Sequence, residues 1–193
     1  MLAGDQANAH RRRAYLVFFD ETAISLTPNV RRTWAPVGRP AVLTHPFNWK
    51  KASMAAALCY GVRGGGAQLC FHLRPGNYNT DNLIQVLGEL RRFLGGEKAT
   101  LLWDGLPAHR SRAMRAWLNT QRHWLVVERL PAYAPDLNPV EGLWSWLKGT
   151  QLANLVCPTL EAVAQQAEQG IERARRMPHL ADSFLRRTGL SVS

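Results

Sequence analysis

The sequence predicts an α/β fold in which a mixed β-sheet is flanked by helices. Short runs of β-branched and aromatic residues predict strands, and beyond residue 80 they alternate with segments of helical periodicity. Three consecutive glycines at residues 64–66 separate two earlier strand candidates and favour a hairpin between them. Hairpins pair strands antiparallel, whereas strand–helix–strand units pair them parallel, so the sheet is predicted to contain both kinds of pairing.

The predicted strands are short and apolar. The first covers residues 14–20 and ends on Asp20, and a later one covers residues 99–104 and ends on Asp104. A polar stretch rich in proline and arginine follows the first strand, and we expect a loop there that can include a hairpin. The remaining strand candidates are residues 41–45, 52–60, 68–73 and 124–130.

Four helices are predicted from apolar residues that recur on one face. The first covers residues 80–94, with Thr80 as its N-cap and two glycines after its last turn. Ser111 is predicted to cap the second helix, and the fourth covers residues 159–176. The third begins with Asn138 as its N-cap and a proline at its first position, and its buried stripe consists of Val140, Leu143, Trp144 and Leu147.

The composition indicates one globular domain with a polyanionic partner. The chain has 193 residues, and its 24 Lys and Arg outnumber its 14 Asp and Glu to give a net charge of +10. Such an excess favours nucleic acid or an anionic membrane surface. We favour nucleic acid, because no run approaches the ~18 apolar residues of a membrane span and no helix pairs a strongly basic face with a large aromatic one.

The cysteines predict reduced thiols and a cytoplasmic protein. There are 3 of them, and they lie far apart without a C-x-x-C pair, which argues against both a disulfide framework and a thiolate zinc site. Residues 1–13 end in three arginines and contain no apolar run of the kind found in a secretory signal. We interpret them as a flexible basic lead-in.

Two acidic residues stand out because each ends an apolar strand in a basic chain. Asp20 and Asp104 are predicted at the carboxyl ends of strands, where open α/β sheets usually bind ligands. The alternative for each is a turn residue or a helix cap after a strand. Taken together in a chain with few acids, the two favour a functional site.

A third acid, Glu141, lies at the third position of the helix that Asn138 is predicted to cap. That position suits a capping box, which is one interpretation of this residue. The other interpretation is functional, since Glu141 shares one flank of the helix with Ser145 and Lys148 and can project past the apolar stripe toward the sheet edge. In that case the Lys148 side chain, on the same flank, can contact a phosphate of the substrate.

Three carboxylates brought together by a fold form a site for hard divalent cations. Two such ions roughly 4 Å apart can activate a water or a 3′-hydroxyl and stabilise the leaving oxygen in phosphodiester chemistry. Asp136 is an alternative to Glu141 as the third ligand, although a turn role suits it better. Glu21 is expected to point away from its neighbour Asp20, because side chains alternate along a strand.

Basic and aromatic residues predict a DNA-binding surface. Arginine beside an aromatic ring suits phosphate binding combined with base stacking. The alternative is an ordinary solvated surface, or local packing in the case of the histidine. The residues predicted to contact DNA are Arg31, Arg32, Trp34, Arg39, His109, Arg110 and Lys148.

Four segments of the chain form a recognisable pattern. They are YLVFFDET at 15–22, TWAPVG at 33–38, LLWDGLPAHRS at 101–111 and LPAYAPDLNPVEGLWSWLKG at 130–149. The last is the most specific, because it joins a proline–tyrosine loop to D-L-N-P-x-E and an L-W-x-W-L-K helix. Together they resemble the IS630/Tc1/mariner superfamily of DDE transposases, and the IS630-type bacterial group fits best.

The resemblance extends over about residues 14–150 and implies a ribonuclease-H-like fold with a five-stranded sheet. It implies that Asp20, Asp104 and Glu141 bind Mg²⁺ or Mn²⁺ in a two-metal catalytic site, and the 36 residues between the last two acids are close to the superfamily spacing. The implied activity is cleavage of DNA at element ends, followed by transfer of the freed 3′-hydroxyl to target DNA at a TA dinucleotide.

The chain departs from this family at two places. Gly105 stands where the family often has an asparagine that can help to orient the second acid. Family members generally carry N-terminal helix-turn-helix modules, but only 13 residues precede the first predicted strand here. We therefore expect a catalytic domain alone, either a truncated copy or one product of a split reading frame with a separate or fused DNA-binding half.

A homodimer is expected from the cutting of two ends in one complex. The alternatives are a degenerate DNA-binding relative without catalysis and a simple metal-dependent nuclease of the same fold.

Overall fold

The computed structural model describes residues 12–45, 50–61, 66–131 and 134–190. Most of the predicted basic lead-in and part of the glycine triplet lie outside the described residues. Among the described helices, none is long and apolar enough to cross a membrane.

Five strands form one mixed sheet with the order β3-β2-β1-β4-β5. β1 (Tyr15–Ser25), β2 (Lys51–Tyr60) and β3 (Ala67–Pro75) pair antiparallel. β4 (Ala99–Trp103) pairs parallel with β1, and β5 (Leu125–Arg129) pairs parallel with β4. The predicted mixed sheet and the predicted antiparallel pairing on either side of the glycine triplet are confirmed.

The strand predicted at residues 41–45 is wrong, because this segment has no regular structure. It belongs to the loop that follows β1, and no hairpin forms among the described residues of this loop. Val42 is 80% exposed and finds no apolar face to cover it. A β-branched residue favours a strand only where a neighbouring strand and a buried face are available.

Both faces of the sheet are buried, because β1 is apolar at successive positions. Leu16 and Phe18 join one hydrophobic cluster, whereas Val17 and Phe19 join a second cluster on the opposite face. The helices divide between these faces in the order of the chain. α1 (Thr80–Phe93) and α2 (Arg112–Thr120) pack on the Val17 face, and the Phe18 face is covered by α3 (Pro139–Trp146), α4 (Leu160–Arg175) and α5 (Pro178–Arg187).

The helix caps agree with the prediction at two of three tested positions. The side chains of Ser111 and Asn138 accept hydrogen bonds from the first turns of α2 and α3, as expected. At α1 the cap is Asn79, whose side chain accepts from the Asn82 N–H over 2.9 Å. Thr80 lies inside the helix instead, and its hydroxyl is 3.0 Å from that of Ser111.

The last helix, α5, has no counterpart in the prediction. It begins at Pro178, and a proline suits the first position of a helix. Phe184 and Leu185 bury the apolar side of α5 against the rest of the Phe18 face. α5 also packs on α3, where Phe184 lies beside Gly142.

α3 does not end at residue 146 but widens into a π-helical segment, Leu147–Gln151. The Leu152 N–H donates to the Leu147 carbonyl over 3.0 Å, which is the five-residue spacing of a π-turn. Such turns recur at functional sites. In this chain the segment carries Lys148.

Gly142→Ala is expected to destabilise the fold by about 1–2 kcal/mol, although alanine forms helices better than glycine. A Cβ at this position of α3 would lie 2.8 Å from the Cδ1 and 3.2 Å from the Cβ of Phe184. Overpacking typically costs about 1–3 kcal/mol, which exceeds the gain of about 1 kcal/mol in helix propensity. The matched control is Gly88→Ala in α1, where nothing lies within 4 Å of the added Cβ.

Urea unfolding followed by circular dichroism measures both glycine variants. We expect Gly88→Ala to raise the free energy of unfolding by up to about 1 kcal/mol. A Gly142→Ala variant as stable as Gly88→Ala would contradict the close approach of α3 and α5.

Candidate active site

Asp20 lies inside β1 rather than at its end, which corrects the sequence-based boundary. β1 continues to Ser25 because β2 pairs with it along this whole length, whereas β4 pairs with it only as far as Phe18. Asp20 therefore lies just beyond the last parallel pair. Asp104 follows β4 directly, so the two acids share one edge of the sheet.

The Asp20 carboxylate is largely buried beneath α3. The indole N–H of Trp144 donates to its Oδ2 over 2.8 Å. Burial is the main cause that raises the pKa of Asp20 to about 7, and the charges of Glu141, Glu21 and Asp104 raise it further against the lowering effect of the Trp144 hydrogen bond. Four carboxyl groups therefore act on one another at this edge.

Asp104 is more exposed and is held by donors. Its Oδ1 lies 2.8 Å from Nδ1 of His109 and accepts a hydrogen bond of 3.1 Å from the Leu106 N–H. Partial burial raises the pKa of Asp104, but these hydrogen bonds and the charges of His109 and Arg110 outweigh it, so the pKa lies below its usual value. Asp104 consequently loses its proton at a lower pH than Asp20 does.

Glu141 lies in the exposed first turn of α3. The capping box that would give it a purely structural role is not formed in the usual way, because the Asn138 N–H donates to the Pro135 carbonyl over 2.9 Å. The Glu141 charge instead raises the pKa of Asp20. The competing acid, Asp136, lies in an exposed turn before α3.

Lys148 reaches this acidic edge from the π-helical segment. Its Nζ donates to Oγ1 of Thr22 over 2.5 Å. Burial lowers the pKa of Lys148, while the charges of Glu141 and Asp20 oppose that shift. The predicted DNA-contact role of Lys148 stays a prediction, but its ammonium group is within electrostatic range of two candidate ligands.

His109 lies in the interior of the protein. It belongs to a short 3₁₀ turn after β4 and is 3% exposed. Its Nε2 lies 2.9 Å from Oε1 of Glu21, opposite the Nδ1 contact with Asp104. Although burial lowers the pKa of His109, the hydrogen bonds to Asp104 and Glu21 raise it to about 10. The DNA-contact prediction for His109 remains untested, but both ring nitrogens contact carboxylates.

Glu21 belongs to this network of contacts, although the sequence pattern did not single it out. Strand alternation correctly turns it to the face opposite Asp20. No signal in the sequence indicated His109 as its partner, because 88 positions separate the two. The second oxygen of Glu21, Oε2, is buried and has no hydrogen-bond partner among the described residues.

A divalent cation fits the chemistry of this edge. Among the described residues, no three His, Cys, Asp or Glu side chains are gathered closely enough to hold a metal ion together. The carboxylates of Asp20, Asp104 and Glu141 are nevertheless the hard oxygen ligands that Mg²⁺ and Mn²⁺ prefer. Burial is the largest cause of the raised pKa of Asp20, and the charges of Glu141 and Asp104 add a repulsion that a cation would relieve.

Comparison with known protein families matches residues 15–163 to the DDE superfamily endonucleases. The chain belongs to this family. The uncharacterized 39 kDa protein of insertion element IS630 from Shigella sonnei is 28% identical to it over 165 residues. This alignment covers 84% of the chain and 46% of the relative, so the chain spans about half the length of that protein.

Solved structures of Mos1 mariner transposase have the same fold as this chain. The Mos1 catalytic domain aligns at 22% identity with a TM-score of 0.51, over 96% of this chain and 89% of that chain. The Mos1 paired-end complex with Mg aligns at 23% identity with a TM-score of 0.64, over 96% of this chain and 58% of that chain. The predicted ribonuclease-H-like fold is thereby confirmed.

The arginine-rich loop after β1 is anchored beside the acidic edge. The Arg31 N–H donates to Oδ1 of Asn154 over 2.8 Å, and the Asn154 N–H donates to the Asn29 carbonyl over 2.9 Å. The Arg31 guanidinium lies over Gly149, with Nη2 at 3.7 Å from the position of a Cβ. Because Gly149 follows Lys148, the base of the loop adjoins the lysine of the acidic edge.

Beyond this anchor the loop is exposed, as a DNA-binding segment requires. Trp34 is 100% exposed, and Arg32 and Arg39 are exposed on either side of it in the sequence. Arg110 is exposed next to the turn of His109, and its charge lowers the pKa of Asp104. The roles of these residues in DNA binding stay predictions.

Asp20→Asn is expected to stabilise the metal-free protein, and the gain should grow between pH 4 and pH 7. In the folded chain the carboxyl keeps its proton up to a pKa of about 7, against 3.8 for an ordinary aspartate. The contribution of this carboxyl to the free energy of unfolding is fully present below its ordinary pKa of 3.8 and is lost as the pH rises through its folded-state pKa of about 7. Asparagine carries no such group, so the difference in Tm between variant and parent should level off above pH 7.

Thermal unfolding in EDTA at several pH values measures this difference. The control is Glu97→Gln, which removes an exposed acid in the turn before β4. Its Tm should follow that of the parent at each pH. A gain for Asp20→Asn that is independent of pH would contradict a buried, repelled carboxylate.

Proposed function

We propose that this chain is the catalytic domain of a DNA transposase, which cleaves DNA strands with divalent metal ions and joins the freed 3′-hydroxyl to target DNA. The observation that carries the proposal is the buried Asp20 carboxylate, whose pKa is raised first by burial and further by the charges of Glu141, Glu21 and Asp104. In a chain of net charge +10, acids gathered at one sheet edge are typical of a catalytic site. Membership in the DDE superfamily endonucleases supports the same activity.

Asp20, Asp104 and Glu141 would hold Mg²⁺ or Mn²⁺ at a two-metal site. When bound, such ions lower the pKa of a water or a 3′-hydroxyl and stabilise the leaving oxygen of the phosphodiester. Complexes of the mariner Mos1 protein with Mn and with Mg support this choice of metals. The Trp144 indole N–H orients the first of these carboxylates, and the donors on Asp104 orient the second.

The remaining residues of the site would bind the DNA backbone. Lys148, with its ammonium group beside Thr22, can contact a phosphate next to the reacting one. Arg31, Arg32 and Arg39 extend the positive charge outward along the exposed loop, and Trp34 offers a ring for base stacking. Hydrolysis and strand transfer at such a site need no covalent protein–DNA intermediate, so we assign no serine or tyrosine nucleophile.

The proposed partners are element-end DNA, target DNA with a TA dinucleotide, and a second copy of the chain. Mos1 structures of a paired-end complex with a transposon end and of a strand transfer complex support this assignment. The basic surface would supply sequence-independent affinity. We assign recognition of the end sequence to a helix-turn-helix half, separate or fused, and the location to the bacterial cytoplasm.

Anomalous diffraction from crystals soaked in Mn²⁺ tests the proposal. The expected result is a peak coordinated by Asp20 and Asp104, with Glu141 in or next to the coordination shell. A peak elsewhere, or no peak at all, would instead support a degenerate DNA-binding relative. Soaking with Ca²⁺ separates oxygen ligation from adventitious binding, because Ca²⁺ also prefers carboxylates but supports a looser geometry.

A further inference from the structure

We infer that Glu21 and His109 form a clamp that positions the Asp104 carboxylate for metal binding. This inference rests on the proposed function, because it concerns how one proposed ligand is held. The clamp runs from β1 to the loop after β4, across the edge that carries the acids. Its members act through Asp104 and are positioning residues.

Asp104 needs such a restraint because it lies where the strand has ended. Its side chain is 43% exposed and is followed directly by Gly105, so the packing of neighbouring side chains does not fix its rotamer. The two donors that hold it, the Leu106 N–H and Nδ1 of His109, both act on Oδ1. We therefore assign Oδ2 as the oxygen that faces the metal.

The His109 ring is itself fixed from three sides. It stacks on the indole of Trp103, with ring centroids 4.0 Å apart and planes within 3°. Nδ1 also lies 3.1 Å from the Asp104 backbone carbonyl, which ties the ring to the same residue that it orients. Glu21 contacts the far nitrogen and prevents rotation of the ring about its own bond. Because both outer neighbours are carboxylates, both ring nitrogens donate.

The contact with His109 gives the Glu21 carboxylate a role on the face opposite Asp20. Its Oε1 accepts from His109, while its buried Oε2 has no hydrogen-bond partner among the described residues. A buried oxygen without a partner is unfavourable for stability alone. The residue therefore has a role beyond packing, and the contact with His109 supplies one.

Two substitutions of His109 separate positioning from packing. The amide nitrogen of asparagine can occupy the place of Nδ1 and keep the donor to Asp104, whereas that of glutamine can occupy the place of Nε2 and keep only the donor to Glu21. Both remove the ring from Trp103 and disturb packing similarly. Only a positioning role predicts that His109→Gln is the more harmful for metal binding.

Mn²⁺ binding to the full chain without DNA, followed by the electron paramagnetic resonance signal of free Mn²⁺, measures the effect. We expect His109→Gln to raise the Kd for Mn²⁺ about tenfold and His109→Asn less than about threefold, in line with other residues that orient metal ligands. Glu21→Gln keeps the ring packed and should raise the Kd at least about threefold. The control is His123→Gln, an exposed histidine, which should bind Mn²⁺ as the parent does.

The outcomes distinguish the clamp from the proposed function. The clamp is overturned if His109→Asn and His109→Gln bind Mn²⁺ equally well, or if Glu21→Gln binds it as the parent does. In either case the metal site itself still stands, provided that Asp20→Asn abolishes binding. Failure of the parent chain to bind Mn²⁺, or parental binding by Asp20→Asn, overturns the metal site and the clamp together. Tm values are recorded for each variant, and Glu21→Gln decides the question if either His109 variant fails to fold.

Discussion

Asp104→Asn should lower the initial rate of metal-dependent plasmid nicking by at least about 1000-fold. An amide oxygen is a neutral and much weaker ligand than a carboxylate, so a metal ion that needs this charge is lost or misplaced. Charge stabilisation by such an ion is worth several kcal/mol in the transition state, and each 1.36 kcal/mol is a factor of ten in rate. The fold should survive, because the amide oxygen can still accept from the Leu106 N–H as Oδ1 does.

Asp20→Asn and Glu141→Gln should have effects of the same size, whereas Asp136→Asn is the matched control. Asp136 is the other acid near the start of α3, but it lies in an exposed turn. Supercoiled plasmid in Mn²⁺, with each variant at the same concentration, gives the rates directly. Nicking by all of the acid variants at the parental rate would show that the triad is wrong. A loss of nicking activity in Asp136→Asn but not in Glu141→Gln would identify Asp136, and not Glu141, as the third ligand.

Local patterns were sufficient to predict most of the sheet. Successive apolar residues predict a strand buried on both faces, and β1 buries Leu16 and Val17 on opposite sides as expected. The prediction ends β1 at residue 20, which is too early, because residues 21–25 are not continuously apolar. Their strand structure depends on pairing with β2, and a partner strand distant in sequence leaves no periodic signal in β1 itself.

The candidate site could be predicted only in part, for the same physical reason. Asp20 and Asp104 follow apolar runs, and that local observation brings them to one edge. The donors to Asp104 are near neighbours in sequence, Leu106 and His109, but the donor to Asp20 comes from far along the chain. Trp144 lies 124 positions from Asp20, and its place in an apolar stripe predicts burial but not an indole hydrogen bond to a carboxylate.

Glu141 illustrates a local pattern with two physical interpretations. Its position three residues after Asn138 suits a capping box, and Asn138 does cap α3 with its side chain. The turn at Pro135 occupies the backbone N–H that the box would use. Only the fold of the preceding loop decides between the two interpretations, so the sequence alone left them open.

Replacing Arg31, Arg32 and Arg39 together by alanine should weaken binding to duplex DNA about 100-fold at 0.1 M salt. Each phosphate contact that is removed lowers the slope of log K against log salt by about 0.9, so three contacts lower it by almost 3. The loop is anchored beside Lys148 through Arg31 and is exposed beyond it, so it can follow a backbone that enters the acidic edge. Mn²⁺ affinity should be unchanged, because the loop holds none of the acids.

The control for the arginine loop removes the same charge elsewhere. Arg92, Arg122 and Arg173 are exposed on or next to helices α1, α2 and α4, and their triple alanine variant has the same net charge as the loop variant. Fluorescence anisotropy with a labelled duplex at several salt concentrations gives both slopes. If the control variant lowers the slope as much as the loop variant, affinity follows total charge and the loop has no special role.

Trp34→Ala separates stacking from charge within the same loop. An exposed indole stacks on unpaired bases, and such stacking is worth about 1–3 kcal/mol per base. The variant should therefore weaken binding to single-stranded DNA about tenfold or more while the salt slope stays at the parental value, because no phosphate contact is removed. A change in slope without a loss of single-strand affinity would mean that Trp34 supports the position of the arginines rather than contacting bases.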